Sequence, residues 1–195
     1  FLSETQSNGI PPIHSAAIQN DITRLNSLRQ LYPNVVNQKF KHKTPLHLAA
    51  SCGHTQFAEK LIQKGAIIDT QDQNKENALI RATIHGHKET VKTLLKYDSS
   101  RSLDKPNITG TSPLLIAIFS GRADISKLLL NNHYSCAPNK DGVDPLIAAF
   151  YRWRKDEYGF SDLYKRLCSK HAIDNVPQFS PLCQSILDNN EAMLK

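Results

Sequence analysis

The chain has 195 residues, 39% hydrophobic and 22% charged, and carries a formal net charge of +6. This composition is typical of a soluble folded protein, and no apolar run approaches the ~18 residues that a membrane-spanning helix needs. The four cysteines are irregularly spaced without a Cys-x-x-Cys pair, which predicts reduced thiols in a cytoplasmic protein rather than a disulfide framework. The positive charge permits a nucleic-acid or acidic-membrane partner without arguing for one.

A motif of leucine, alanine and Gly-His recurs along the chain. KTPLHLAASCGH contains Leu46, with Ala49 three residues later, and ENALIRATIHGH places Leu79 and Ala82 33 residues further on. The leucine position, which we call the anchor, is filled in turn by Ile13, Leu46, Leu79, Leu114, Leu146 and Leu182. A fixed period of this length predicts one elongated solenoid of stacked units instead of separate globular domains.

Four of the units show the same signal for the start of a first helix. A capping side chain precedes a proline in the pairs Thr44-Pro45, Ser112-Pro113, Asp144-Pro145 and Ser180-Pro181. The capping oxygen accepts a hydrogen bond from a free backbone amide, and proline at the first helical position has no amide to leave unpaired. We therefore expect short first helices that begin at these prolines, run for about two turns and end at glycine.

Each first helix is followed by a second amphipathic segment. Examples are QFAEKLIQKG at 56–65, KETVKTLLKY at 88–97 and ADISKLLLNN at 123–132, whose apolar residues follow the spacing of one buried helical stripe. Polar connectors with turn chemistry join one unit to the next, as in NKDG ending at Gly142. The pattern predicts units of two helices and one projecting turn.

We place six units along the chain, at about residues 10–42, 43–75, 76–110, 111–142, 143–178 and 179–195. The first is expected to be an N-terminal cap, with His14 in the motif but Asn20 where other units have glycine. The fifth contains a six-residue insert near 151–158, because Gly159 lies 13 residues after Leu146 where seven is usual. The sixth stops within its second helix, so we expect the chain to be a fragment of a longer protein.

The segment TPLHLAA at 44–50, followed by Gly53-His54, resembles the signature of the ankyrin repeat family. The resemblance covers about residues 10–195. It implies an all-α ankyrin-repeat solenoid of about six helix-turn-helix units with projecting turns or short hairpins, and protein binding as the default activity. Only the second unit retains both Thr44 and His47, so the ladder of hydrogen bonds that the family implies for these two residues is expected to be mostly missing.

In such a stack the turn tips and the outer ends of the first helices line one continuous concave face. Five large apolar or aromatic side chains are expected there: Phe40, Ile84, Ile108, Phe119 and Tyr151. Five large apolar side chains together are not expected on a surface that contacts only water, whereas such residues dominate binding hot spots. The full predicted partner-binding set is Phe40, Lys41, Lys43, Gln73, Asn74, Glu76, Ile84, His85, Ile108, Thr109, Phe119, Lys140, Asp141, Tyr151, Arg152 and Trp153.

Two alternatives to this interpretation stay open at this point. Some of the apolar residues could pack between adjacent units, which would be ordinary core packing. Trp153 lies in the predicted insert, where tryptophan serves equally well as a binding anchor or as a cover for the core where the insert bulges.

The sequence shows no convergent catalytic set and no Gly-rich phosphate loop. Cys52, His54, His85 and His87 could in principle supply zinc ligands, and Cys52 with His85 a catalytic pair. However, His54 and His87 occupy the repeated Gly-His position, and the spacing is not that of a typical metal site. We expect no catalytic residues, no metal and no cofactor.

The leading hypothesis is a monomeric, non-enzymatic protein–protein interaction module that binds a protein or an extended peptide on its concave face between the third and fifth units. The alternative is a substrate-recruiting ankyrin region of a larger enzyme whose catalytic domain lies outside this chain. A third hypothesis, binding of nucleic acid or anionic lipid, depends on the charge of +6 alone and predicts affinity that falls steeply with salt.

Composition adds one further expectation. Asparagine, glutamine, lysine and isoleucine are plentiful, glycine is scarce, and the repeats are degenerate. In this respect the chain resembles ankyrin proteins of intracellular bacteria, many of which are delivered into a host cell. The resemblance implies an effector that engages a host protein in the host cytoplasm.

Overall fold

A computed structural model describes residues 9–155 and 159–173, with side chains through Ser169. Within these ranges the chain forms ten α-helices and one short 3-10 helix, Val35–Asn37, without a regular β-strand. The helices are α1 Pro12–Gln19, α2 Ile22–Leu31, α3 Pro45–Cys52, α4 Thr55–Gln63, α5 Ala78–His85, α6 Lys88–Tyr97, α7 Pro113–Phe119, α8 Ala123–Asn131, α9 Pro145–Arg154 and α10 Phe160–Ile173. The prediction of an all-α solenoid is confirmed.

The helices are arranged in two rows. The first helices α1, α3, α5, α7 and α9 each contact the next in that order, and α4, α6, α8 and α10 form a second row beside them. The anchors Leu46, Leu79 and Leu114 lie in the core between the rows, and Ala49 is buried with them. The small side chain at the Ala49 position lets neighbouring backbones approach, as the repeat pattern predicted.

The first helices begin where the capping signals place them. Proline occupies the first helical position of α3, α7 and α9, and the carboxylate of Asp144 accepts the amide of Leu146 at 2.6 Å. In α5, which has no proline there, the side chain of Asn77 accepts the amide of Ile80 at 3.0 Å. Local capping chemistry therefore sets the starts of α3, α5, α7 and α9.

The fifth unit departs from the others in helix length. Its first helix α9 has ten residues, where α3 and α5 have eight and α7 has seven. The first residues of the predicted insert thus extend this helix, while residues 156–158 lie outside the described part. The predicted sixth unit at 179–195, with its Ser180-Pro181 start, also lies outside it, and the unit boundaries remain predictions.

No helix in the described ranges is both long enough and apolar enough to cross a membrane.

Candidate partner-binding face

A position that recurs in every unit is named after the residue that fills it in the second unit. The Ser51 position, for example, is five residues after the anchor and is filled by Ile84, Phe119 and Tyr151 in the next three units. The front face is the exposed surface formed by the turn tips at 40–43, 73–76, 107–111 and 139–143 together with the Ser51 and Cys52 positions at the ends of the first helices. Each tip is counted here with the unit whose first helix follows it, so these four are the tips of the second, third, fourth and fifth units. The front face is where the predicted partner-binding residues were placed.

Each of three successive tips is built around one Asp or Asn oxygen. Asp72 Oδ1 accepts the amides of Asn74 at 2.8 Å and Glu76 at 3.0 Å. Asn107 and Asn139 accept the corresponding amides of their own tips at 2.9–3.1 Å. Sequence reasoning missed these residues, although an Asp or Asn seven residues before the anchor is a readable signal for such a turn.

Hydrogen bonds between tips join them into a continuous row. The amide of Ile108 donates to the carbonyl of Asn74 at 2.9 Å, and the amide of Lys140 donates to the carbonyl of Thr109 at 3.3 Å. The ammonium of Lys140 also donates to the carbonyl of Ile108 at 2.8 Å. The structure therefore brings together four predicted residues from the third, fourth and fifth units.

A buried ion-pair network lies behind the third tip. The guanidinium of Arg81 is 2.6 Å from Asp72 and 3.1 Å from Glu76. Burial opposes ionisation of Asp72, but the Arg81 hydrogen bond and the amides of Glu76 and Asn74 outweigh it and lower the pKa of that carboxyl. Burial raises the pKa of Glu76, against the attraction of Arg81. The side chain of Glu76 is thus held inside the protein and is not free on the face.

Large apolar side chains emerge at the ends of the first helices and at one tip. At the Ser51 position, Phe119 is 45% and Tyr151 61% exposed, and Ile84 is half-buried. Ile108 at the fourth tip is 50% exposed. An open groove of about 480 Å³ runs between the fourth and fifth units, lined by Phe119, Gly142, Val143, Ile147, Ala148, Tyr151, Arg152 and Lys155.

Two of the predicted aromatic residues pack mainly against their own chain. Trp153 stacks on Tyr164 with ring centres 5.4 Å apart and meets the edge of Phe150 at 6.0 Å. Phe40 is half-buried and lies 5.7 Å from the ring of His14. For both residues the structure favours the packing alternative.

The remaining predicted residues divide between half-buried and exposed side chains. Lys43 is half-buried, and its backbone closes the second tip by pairing with Phe40. The guanidinium of Arg152 donates a hydrogen bond to the carbonyl of Phe119. Those whose side chains are exposed on the front face are Lys41, Gln73, Asn74, His85, Ile108, Thr109, Phe119, Lys140, Asp141 and Tyr151.

The Gly-His motif has a structural role. The His54 ring donates through Nε2 to the carbonyl of Ile18 at 2.8 Å, and His87 donates likewise to Ser51 at 2.9 Å, so each joins its unit to the preceding one. Gly53 has φ +73°, and a side chain there would meet the ring of His87. In the described residues no three His, Cys, Asp or Glu side chains are grouped to hold a metal ion.

Among the described residues the Thr-His pair occurs in the second unit alone, as the sequence predicted, but other side chains also make hydrogen bonds at these positions. His47 donates through Nε2 to the carbonyl of Glu76 at 3.0 Å, and His14 makes the same bond to Lys43 at 3.0 Å without a threonine partner. In the third unit, Asn77 at the Thr44 position donates to the carbonyl of Leu103 of the same unit at 2.9 Å. The bonds of His14 and His47 thus link neighbouring units, and the histidines of the Gly-His motif add a second series.

The chain matches the ankyrin repeat family in two overlapping stretches, as three repeat copies over residues 13–102 and as many copies over residues 79–130. It is similar to "Probable E3 ubiquitin-protein ligase XBOS33" of Oryza sativa subsp. japonica, with 29% identity over 135 residues, 68% of this chain and 26% of the rice protein. A transient receptor potential channel homologue, subfamily A member 1, of Caenorhabditis elegans is 34% identical over 105 residues, 54% of this chain and 8% of that protein.

A third similar protein is "Ankyrin repeat and SOCS box protein 2" of Bos taurus, with 33% identity over 75 residues, 38% of this chain and 12% of that protein. The chain spans about a quarter or less of the length of these three relatives. Ankyrin repeats are in general non-catalytic units of protein–protein interaction. With matches over residues 13–130 and two rows of stacked helices, the chain belongs to the ankyrin repeat family.

Proposed function

We propose that this chain is a non-enzymatic module that binds a protein or an extended peptide on the front face between the third and fifth units. The observation that carries the proposal is the exposure of Ile108, Phe119 and Tyr151 on neighbouring units. The residues at the Ser51 position of α1 and α7, Ile18 and Phe119, are exposed although another first helix packs against each of these helices. Ser51 and Ile84 at the same position are half-buried, so none of the five described units buries it completely.

These residues are suited to anchor a partner. Burying a large apolar side chain that is otherwise in water stabilises a complex by about 1.5–3 kcal/mol. Arg152, which bonds the carbonyl of Phe119, and Lys140, which bonds the carbonyl of Ile108, hold the backbone beside two of the anchors. A surface that is already ordered loses less conformational entropy when it binds.

The charges around the anchors favour a partner with acidic residues. Four of the predicted residues are basic, namely Lys41, Lys43, Lys140 and Arg152, and two are acidic. One of the two acids, Glu76, is held by Arg81. We therefore propose a partner segment with an apolar anchor flanked by Asp or Glu, because complementary charge speeds association and disfavours other partners.

The test is affinity capture from eukaryotic cell lysate followed by binding measurements on the purified partner. The Phe119→Ala, Tyr151→Ala double variant is expected to weaken binding at least tenfold, since each truncation at a hot spot is worth on the order of 2 kcal/mol. Truncating the partner should map an acidic segment with an apolar residue as its binding region.

Leu31→Ala, Ile67→Ala is the matched control, because both residues are exposed and lie outside the front face, Leu31 at the end of α2 and Ile67 just after α4. It should bind like the wild type. Circular dichroism must show equal folding of all three proteins. If the double variant binds the same partner as tightly as the wild type does, the front face is not the site.

A second candidate function is the recruitment of substrates for a larger enzyme. The observation that favours it is the similarity to rice proteins named as E3 ubiquitin-protein ligases. Under this proposal a protein captured on the front face becomes a substrate of a catalytic domain encoded in the same gene. The full-length protein should then modify its captured partner in vitro, and the Phe119→Ala, Tyr151→Ala variant should not.

We also propose, from composition, that the chain acts as a monomer in the cytoplasm, as a bacterial effector in a host cell. Light scattering of the purified chain at micromolar concentration tests the monomer, and the source genome tests the effector. A vertebrate or plant gene would contradict the effector proposal.

A further inference from the structure

In the fourth unit an arginine takes the place of the histidine of the Gly-His motif. Gly53-His54 and Gly86-His87 of the second and third units are followed one unit later by Gly121-Arg122. An arginine side chain is longer than a histidine, is always charged, and can only donate hydrogen bonds. The exchange therefore changes what this position can bind.

At most junctions between units, a side chain donates to the carbonyl at the Ser51 position of the preceding unit. Three of the four junctions in the described part of the chain have this bond, made by His54 to Ile18 at 2.8 Å, by His87 to Ser51 at 2.9 Å and by Arg152 to Phe119. At the fourth junction the corresponding carbonyl is that of Ile84. Among the described residues no side chain donates to it, so Arg122 does not take over the bond that the motif histidine makes.

The guanidinium of Arg122 nevertheless lies where the ring of His87 lies one unit earlier. A Cβ added to Gly53 would be 2.8 Å from Cε1 of His87, and a Cβ added to Gly86 would be 2.6 Å from Cζ of Arg122. The guanidinium thus reaches back over the glycine that follows His85 in the preceding unit. This places it at the edge of the front face, between the third and fourth units.

The guanidinium of Arg122 has no partner in the described part of the chain. No hydrogen bond, ion pair or aromatic ring there engages the side chain, and the residue is exposed. The acid closest to it in sequence, Asp124, pairs with Lys88 at 3.0 Å. The planar fork of N–H groups on Arg122 is therefore open to an acceptor from outside, and a carboxylate matches it with two parallel hydrogen bonds.

The neighbours of Arg122 belong to the surface assigned to the partner. Arg122 follows Phe119, which is 45% exposed, by three residues. On the side of the preceding unit it lies beside Gly86, directly after the exposed His85. A partner that contacts Phe119 would therefore pass close to a positive charge that the chain itself leaves unpaired.

We propose that Arg122 is a specificity-determining residue of the front face that binds the carboxylate of an Asp or Glu side chain in the partner segment. This inference rests on the proposed function. It assigns the acidic residue of the partner to one place, the junction of the third and fourth units, next to the apolar residue that contacts Phe119.

Peptides selected on the wild-type chain from a phage-displayed random library are the probes, and fluorescence anisotropy measures their binding. Arg122→His should weaken binding about tenfold, because it removes a charge-assisted pair of hydrogen bonds. Replacing the acidic residue of the peptide by its amide should weaken binding to the wild type by a similar factor. The same peptide change should cause no further loss with Arg122→His, as expected when the two groups contact each other.

Arg122→His is the informative variant because it restores the residue of the motif. Its imidazole can donate to the carbonyl of Ile84 as His87 does to Ser51, so the midpoint of urea unfolding should not fall. Binding is measured at about pH 7.5, where an ordinary histidine is mostly neutral. Arg166→His is the matched control: it removes the same charge from an exposed arginine of α10, in the second row of helices, and should bind the peptides like the wild type.

Equal affinity of Arg122→His and the wild type would overturn the proposal, as would selected peptides without an acidic residue. A fall in the urea midpoint together with weaker binding would assign Arg122 to the fold and overturn it as well. If the peptides ignore Arg122 but still require Phe119 and Tyr151, the proposed function stands and only the role of Arg122 is wrong. If they require Arg122 and bind Phe119→Ala, Tyr151→Ala as tightly as the wild type, the carboxylate contact stands and the proposed front-face function is wrong.

Discussion

At the scale of single residues, His47 shows how one side chain holds two units together. Its Nδ1 accepts the amide of Thr44 at 3.2 Å and lies 2.7 Å from the Thr44 hydroxyl, while its Nε2 donates to the carbonyl of Glu76. This arrangement requires the neutral ring, because a proton on Nδ1 would remove the acceptor. Burial lowers the pKa of His47 to about 4, against the favourable effect of the Glu76 carbonyl.

The stability of the protein should therefore fall as the pH is lowered from about 6.5 to 4. In that window the unfolded chain takes up a proton at His47 and the folded chain does not, so the stabilisation present above pH 6.5 is lost. The loss from this residue is on the order of 3 kcal/mol. Urea unfolding at pH 7.0 and 4.5 measures it.

His47→Gln should flatten the pH dependence, and His85→Gln, at an exposed histidine, should retain it. Part of the slope will remain in His47→Gln, because burial also lowers the pKa of His14. An unchanged slope in His47→Gln would show that its ring is already charged in the folded protein.

A second residue-scale prediction concerns Gly53. Gly53→Ala is expected to destabilise the protein by about 1 kcal/mol more than Gly142→Ala does. Both glycines have nearly equal positive φ, +73° and +76°, so the backbone strain is the same. Only at Gly53 would the added methyl group collide with His87, at 2.5 Å, and disturb its bond to Ser51. Equal losses in urea unfolding would contradict this account.

At the scale of structural elements, the tips depend on polar side chains and not on apolar packing. Asp72 alone accepts two tip amides and the guanidinium of Arg81, which comes from the first helix of the same unit. It therefore fixes the third tip to α5. Because the tips of the third, fourth and fifth units are hydrogen-bonded in a row, the position of one affects the next.

Asp72→Ala is expected to destabilise the protein by about 2–4 kcal/mol, since it leaves Nη2 of Arg81 and two amides without an acceptor. Asp69→Ala is the control: that carboxylate pairs with Lys105 at 2.7 Å near the surface, and its loss should cost less than about 1 kcal/mol. Chemical denaturation compares the two. Similar losses would mean that the tip network is as weak as a surface ion pair.

At the scale of the whole molecule, the positive charge is distributed among ion pairs. Lys88 pairs with Asp124 at 3.0 Å and Lys105 with Asp69, each joining two units, and Lys127 lies 3.1 Å from Asp162. Among the described residues, these three lysines are therefore each paired with an acid and do not add up to a run of unpaired positive charge.

We accordingly predict no retention of duplex DNA in a gel-shift assay at micromolar protein and about 150 mM salt. Non-specific DNA binders have dissociation constants of roughly 10⁻⁴–10⁻⁶ M under such conditions and depend on several phosphate contacts at once. Binding that is tight at this ionic strength, and weakens steeply with added salt, would revive the nucleic-acid hypothesis.

The regular parts of the fold were predictable from the sequence because they depend on neighbours along the chain. A capping residue with proline places the starts of α3, α7 and α9 within one turn, and the anchor with its alanine identifies the core at Leu46 and Ala49. The candidate site was predictable only as a set of positions. Whether the side chain at each position is exposed to solvent depends on how the neighbouring unit, about 33 residues away in the sequence, packs against it.

What the sequence by itself determined is the repeat, and through it the family, the helices and the register of the front face, because these follow from periodicity and local capping. Only the tertiary structure decided that Glu76 is held by Arg81, that Trp153 stacks on Tyr164, and that Phe119 and Tyr151 remain exposed. The physical reason is that burial and ion pairing are properties of residues brought together in space. Their partners in a solenoid come from other elements and from the adjacent unit, which no local pattern specifies.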